Sequence, residues 1–124
     1  MDLRNLEKFF LDELSIDKIV EEIDAEVESF REARAKKGSS ASVYGTNDNF
    51  HFIVREKDIK KLCAMYLRGK LNEWHLEYLS NLVELSLSFL IDNEKTEDAV
   101  FELSSPEINF DITPETVKRI YDDL

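Results

Sequence analysis

Tyr66-Leu67-Arg68-Gly69-Lys70-Leu71-Asn72-Glu73-Trp74 is the stretch where two helical patterns meet at a glycine. On its upstream side, Glu56 to Arg68 places Ile59, Leu62, Cys63, Tyr66 and Leu67 on one face, and Gly69 is suited to stop that helix. On its downstream side Asn72 is the strongest N-cap in the chain. The helix it starts is predicted to turn Leu76, Leu79, Val83 and Leu87 inward. Leu82, Leu85, Phe89 and Leu90 widen that stripe, so this helix is expected to lie centrally and to be contacted on several sides. The same run, Leu76 to Ile91, contains Glu77, Asn81 and Glu84, which reads as a buried helix and not as a membrane span.

Working outward, Asp92-Asn93-Glu94 is expected to break the central helix and Thr96 to Leu103 to form a short one ended by Ser105-Pro106. Thr113 as N-cap with Pro114 at the first helical position starts a last helix through Val117, Ile120 and Leu124. Toward the N-terminus, Asp2 to Leu14 reads as a helix with Leu3, Leu6, Phe10 and Leu14 on one side. Ser15 then caps a second helix in which Ile16, Ile19, Val20, Ile23, Val27 and Phe30 recur every three or four residues, with Gly38 as its stop. Residues 39–54 break the helical period. Apolar runs on either side of Gly45-Thr46-Asn47-Asp48 predict one short β-hairpin or ordered loop near residues 40–54. The fold class is therefore mainly α, a single domain over residues 1–124 with about five to six helices. Its core is expected to include Ile19, Ile23, Val27, Leu62, Leu67, Leu79, Val83, Leu87, Val100 and Ile120.

Composition narrows the function. The 124 residues are 43% hydrophobic, enough for a packed core, and only 3 Gly and 2 Pro argue against a many-turned β-sandwich. Cys63 is the only cysteine, so no internal disulfide can form and a reducing cytoplasm is expected. No basic segment precedes an apolar core at the N-terminus, so no secretory signal is expected.

The formal charge of −11 is unevenly spread. Met1 to Phe30 carries 10 acids and 3 bases, Arg31 to Asn72 carries 4 and 10, and Glu73 to Leu124 carries 13 and 3. Phosphate backbones repel such a chain, which disfavours nucleic acid and favours a partner with a basic surface. The basic residues Arg55, Lys57, Lys60, Lys61, Arg68 and Lys70 are expected to pair with the acidic flanks. Two acidic rows are then the candidate partner-binding residues: Asp17, Glu21, Asp24 and Glu28 on the second helix, and Glu94, Glu97, Asp98 and Glu102 further on.

No catalytic, cofactor-binding or metal constellation is found. Residues 92–103 look superficially like a calcium loop, but Glu97 stands where glycine must make the turn and Leu103 where a bidentate glutamate belongs. Cys63, His51 and His75 do not sit at a metal-ligand spacing, and Cys63 lies on an apolar stripe. Adjacent carboxylates such as Glu21/Glu22 and Glu97/Asp98 are ordinary on solvated helices.

Two segments resemble small bacterial immunity proteins of contact-dependent inhibition and related polymorphic toxin systems. One is Tyr66-Leu67-Arg68-Gly69-Lys70-Leu71 followed by Trp74-His75-Leu76-Glu77-Tyr78-Leu79. The other is Val100-Phe101-Glu102-Leu103-Ser104-Ser105-Pro106-Glu107-Ile108-Asn109 with Ile112-Thr113-Pro114-Glu115-Thr116-Val117 after it. The resemblance covers roughly the last half of the chain. It implies a cytoplasmic, non-enzymatic inhibitor, without cofactor, that covers the active site of a cognate toxin domain, such as a nuclease with a basic cleft. The alternative is a small acidic adaptor or regulatory subunit that docks a basic or helical protein.

Overall fold

The computed structural model describes residues 1–36 and 41–124. Among them the protein is mainly helical, with six helices and one short two-stranded sheet. The elements run α1 Leu3–Phe10, α2 Ile16–Ala35, β1 Phe52–Val54, α3 Glu56–Leu67, α4 Glu73–Leu85, β2 Phe89–Ile91, α5 Glu94–Ser104 and α6 Pro114–Asp123.

Local chemistry sets most of the helix starts. Ser15, Asn72, Asn93 and Thr113 each accept a hydrogen bond from the backbone N–H three residues on, satisfying a donor that the helix itself cannot. Asp2 does the same for α1 through the Arg4 N–H, at 2.9 Å. Between α3 and α4 the predicted stop is realised by Gly69, whose φ of 77° lies in the left-handed region. There its N–H donates to the Tyr66 carbonyl and the Lys70 N–H to the Met65 carbonyl, closing the end of α3.

Helix α4 is the hub and packs against α2, α3 and α5, while α3 also packs on α6 and α1 on α2. Ile19, Ile23, Val27, Leu62, Leu79, Val83, Val100 and Ile120 are all buried, as expected. Leu67 and Leu87 are not. Leu67 is the last residue of α3 and is 38% exposed, and Leu87 is 89% exposed.

Leu87 is exposed because α4 ends at Leu85, six residues short of Ile91, where the apolar run ends. Ser86 takes an extended conformation, its Oγ accepts from the Ser88 N–H at 3.1 Å, and the chain passes into β2. Phe89 and Leu90, expected on the helical stripe, are therefore strand residues, one buried and one exposed. A short apolar run is ambiguous between the two periods, and serine at the junction decides it here.

Of the two alternatives for residues 40–54 the hairpin is not formed, and the described residues 41–51 are a loop leading into β1. Phe52–Val54 does not pair with the segment before Gly45. It pairs in parallel with β2, in the register Phe52↔Phe89, Ile53↔Leu90, Val54↔Ile91. Two helices, α3 and α4, form the crossover that a parallel pair requires. Phe10, Phe50, Phe52 and Phe89 pack on one another with ring centroids 5.6–6.2 Å apart, supporting a sheet too small to stand alone. The loop ahead of β1 is fastened to the N-terminal segment, since the Leu3 N–H donates to the Thr46 carbonyl and the Thr46 N–H to the Met1 carbonyl. Gly45 is required there, because a Cβ would lie 2.8 Å from the Leu3 side chain.

Remaining differences lie at element ends. Helix α1 stops at Phe10, short of Leu14, and Asp12 with φ 62° turns the chain toward Ser15. Helix α5 begins at Glu94, capped by Asn93, where Thr96 had been the expected start. The expected stop at Gly38, and Ser39 and Ser40 of the expected hairpin, lie outside the described residues.

The two leucines test this geometry directly. Leu79→Ala, which empties a fully buried site, is expected to cost about 3 kcal/mol in urea unfolding. Leu87→Ala should stay within about 0.5 kcal/mol. Comparable losses for both would place Leu87 in the core after all.

Candidate functional site

Helix α2 presents its carboxylates to two different surroundings. Asp17, Glu21, Asp24 and Glu28 form an exposed row along one side. Each has a basic or hydrogen-bonding neighbour: Lys70 is 3.9 Å from Asp17, Lys18 3.6 Å from Glu21 and Arg31 3.7 Å from Glu28. Exposed pairs of this kind hold little energy and leave the charges available to a partner. Asp24 is more constrained, with its Oδ1 2.7 Å from Nε2 of the buried His75. The Asn72 N–H donates to His75 Nδ1 at 3.0 Å, so Nδ1 is an acceptor and the proton resides on Nε2, aimed at Asp24.

Glu22 and Glu26 point elsewhere, although sequence places them beside the acidic row. Glu22 accepts from the Asp2 N–H at 2.6 Å and from Asn5 Nδ2 at 2.7 Å, fastening α1 to α2. Glu26 accepts from the Tyr78 hydroxyl at 2.9 Å and from the Met1 amine at 2.8 Å. Burial, with Glu26 adding to it, pushes the Tyr78 phenol well above its ordinary value. These two acids hold the fold together.

On α5, Glu94, Glu97 and Asp98 are exposed. Glu102 is half-buried and tied to Arg119 of α6 at 2.7 Å. Because α4 packs against both α2 and α5, the eight predicted acids make two rows and not one surface. Half of the central bases pair as expected: Lys61 reaches Asp12, Lys70 reaches Asp17, and Arg55 lies 3.2 Å from Asp92, whereas Lys57, Lys60 and Arg68 form no ion pair among the described residues.

A third acidic surface was not foreseen. A groove of about 350 Å³ opens between the C-terminal end of α2, the start of α4 and the segment joining α5 to α6. Arg34, Glu73, Trp74, Glu77, Pro106, Glu107, Asp111, Ile112 and Thr113 line it. All but Arg34, Glu73 and Asp111 belong to the two segments that carry the family resemblance.

Glu77 is only 3% exposed. Its Oε2 lies 3.0 Å from Arg34 Nη1, but it receives no aligned hydrogen bond. Arg34 gives its hydrogen bond to Glu107 instead, at 2.6 Å. Burial dominates Arg34's opposing effect, Glu107 and Glu73 add repulsion, and the Glu77 carboxyl is pushed up to about 7. The signal available in sequence was a glutamate inside an apolar run, which is rarely fully buried without a reason.

Among the described residues, no group of three or more His, Cys, Asp or Glu side chains is placed to hold a metal ion. Nor, among the described residues, is any helix long and apolar enough to cross a membrane. Cys63 is buried and its thiol is pushed up to about 12 by desolvation, so it stays protonated at neutral pH. Comparisons with protein-family models, curated proteins and solved structures give no match.

Two measurements check these assignments. Glu22→Ala is expected to lower unfolding free energy by about 1–2 kcal/mol, since two half-buried donors lose a charged acceptor, whereas Glu21→Ala should change it by less than about 0.5 kcal/mol. Similar values would mean that Glu22 is not a clamp. For Glu77, the carboxyl is raised on folding, so the folded state holds the extra proton and stability falls as pH rises from about 4.5 to about 7. Glu77→Gln removes that titration. Its stability relative to the parent should therefore improve between pH 5 and pH 8, by at most about 3 kcal/mol. A relative stability that falls over this range would show that the Arg34 pair outweighs burial.

Proposed function

We propose that this chain is a non-enzymatic immunity protein that binds and neutralises a cognate bacterial toxin domain, a nuclease with a basic cleft, in the cytoplasm. The observation that carries this reading is the exposed row Asp17, Glu21, Asp24 and Glu28. Four carboxylates spread over roughly 16 Å of helix offer a rigid line of negative charge to a cleft built for phosphates. The overall charge of −11 supports fast, steered association with such a surface. The resemblance in the C-terminal half supplies the biological class.

A second reading, an acidic adaptor or regulatory subunit, draws support from the exposed apolar side chains Ile53, Leu85, Leu87 and Leu90, which suit a helical partner. Co-expression separates the two. If the protein is an immunity factor, cells producing the toxin domain encoded beside its gene survive only in its presence. Cell death despite co-expression removes the reading.

The interface has its own test. Asp17→Lys, Glu21→Lys and Glu28→Lys together are expected to slow association with the toxin by 10-fold or more at low salt, with the difference shrinking as salt rises. Asp24 is left intact so that the His75 contact is not disturbed. Unchanged association kinetics would take this row out of the interface.

A further inference from the structure

We propose that the groove bounded by Trp74, Glu107 and Ile112 is a receptor for a single cationic side chain, an arginine or lysine presented by a protein partner. Four carboxylates line it, Glu73 and Glu77 from α4 and Glu107 and Asp111 from the segment joining α5 to α6, against one internal cation, Arg34. One guanidinium does not neutralise four acids, so a concave site of this size retains a net negative charge. Arg34 divides its reach between Glu77 and Glu107 and donates a hydrogen bond only to the second. Glu77 Oε2 is left buried, bordering the groove, without a hydrogen-bond donor. A buried carboxylate in that condition is costly, and a cation seated in the adjacent groove would stabilise its charge.

The rest of the lining fits the same ligand. Trp74, half-buried, with Pro106 and Ile112, provides an apolar wall along which the methylene stem of a long cationic side chain can lie. The indole also offers the ring type that attracts a guanidinium or ammonium most strongly. A metal ion fits less well, because these acids are not placed as a ligand cluster among the described residues. The groove is distinct from the α2 row, so a basic partner could contact this chain at two places.

Who presents the cation rests on the toxin-neutralising reading; the existence of the receptor does not. Trp74 is the only tryptophan in the chain, so its fluorescence reports on this groove alone. The probe is an acetylated, amidated Gly-Arg-Gly peptide, with its citrulline counterpart as the uncharged isostere. A saturable change with the arginine peptide in roughly the millimolar range, and none with citrulline, is expected for one side chain. Glu73→Gln with Glu107→Gln should weaken binding roughly fivefold or more, as should Asp111→Asn alone to a smaller extent, while Glu13→Gln on another surface leaves it unchanged. All four positions are exposed, so the variants keep their fold. Absence of saturation, an equal response to citrulline, a response only to magnesium ion, or affinity insensitive to both groove variants would each overturn the proposal. Peptide binding without cell protection would sink the toxin reading and leave the receptor standing; protection without peptide binding would do the reverse.

Discussion

Helix α4 is buried on every side over its middle, and the rest of the structure answers to that constraint. His75, Leu76, Glu77, Tyr78, Leu79 and Ser80 are consecutive and all buried, which no helix with a single apolar face achieves. The leucines are accommodated by α2, α3 and α5. The polar members need partners or they destabilise the fold. Three of those partners come from one helix, because Asp24, Glu26 and Arg34 of α2 meet His75, Tyr78 and Glu77 in turn. The α2–α4 seam is thus a polar zipper along the edge of an otherwise apolar core.

That zipper also sorts the acids of α2 by role. The residues facing the seam or α1, Glu22 and Glu26, are consumed in holding the molecule together. Asp17, Glu21 and Glu28 face solvent, and Asp24, though exposed, also meets His75 at the seam. Charge counts cannot make this distinction, since the two sets alternate along the same twenty residues. At the C-terminal end of the seam the zipper is imperfect. Arg34 turns toward Glu107, Glu77 keeps a raised carboxyl, and a groove opens with the only tryptophan on its wall. A place where the fold leaves a buried charge incompletely satisfied is where outside chemistry has most to offer.

Much of the architecture could be read from the chain because it is written locally. Ser15, Asn72 and Thr113 cap helices through contacts three residues away, and Gly69 ends one through its own backbone freedom. The apolar period of α2 marks Ile19, Ile23 and Val27 as core without reference to any other segment. The strand pairing was not legible in this way. Phe52–Val54 and Phe89–Ile91 are separated by two helices, and nothing in either run states its partner or its direction. Leu87 was misplaced for a related reason, as a helical stripe and a strand can share the same few leucines and phenylalanines.

The candidate sites divide along the same line. Sequence by itself determined that the protein is mainly helical, strongly acidic, and carries a repeating row of carboxylates on α2, because periodicity and charge are properties of neighbouring residues. Only the tertiary structure decided that Glu22 and Glu26 are engaged within the fold, that the two acidic rows are separate, and that Trp74, Glu77, Glu107 and Asp111 meet around one groove. Those facts depend on side chains far apart in the chain being brought within a few ångströms, where burial and hydrogen-bond geometry set what each charge does.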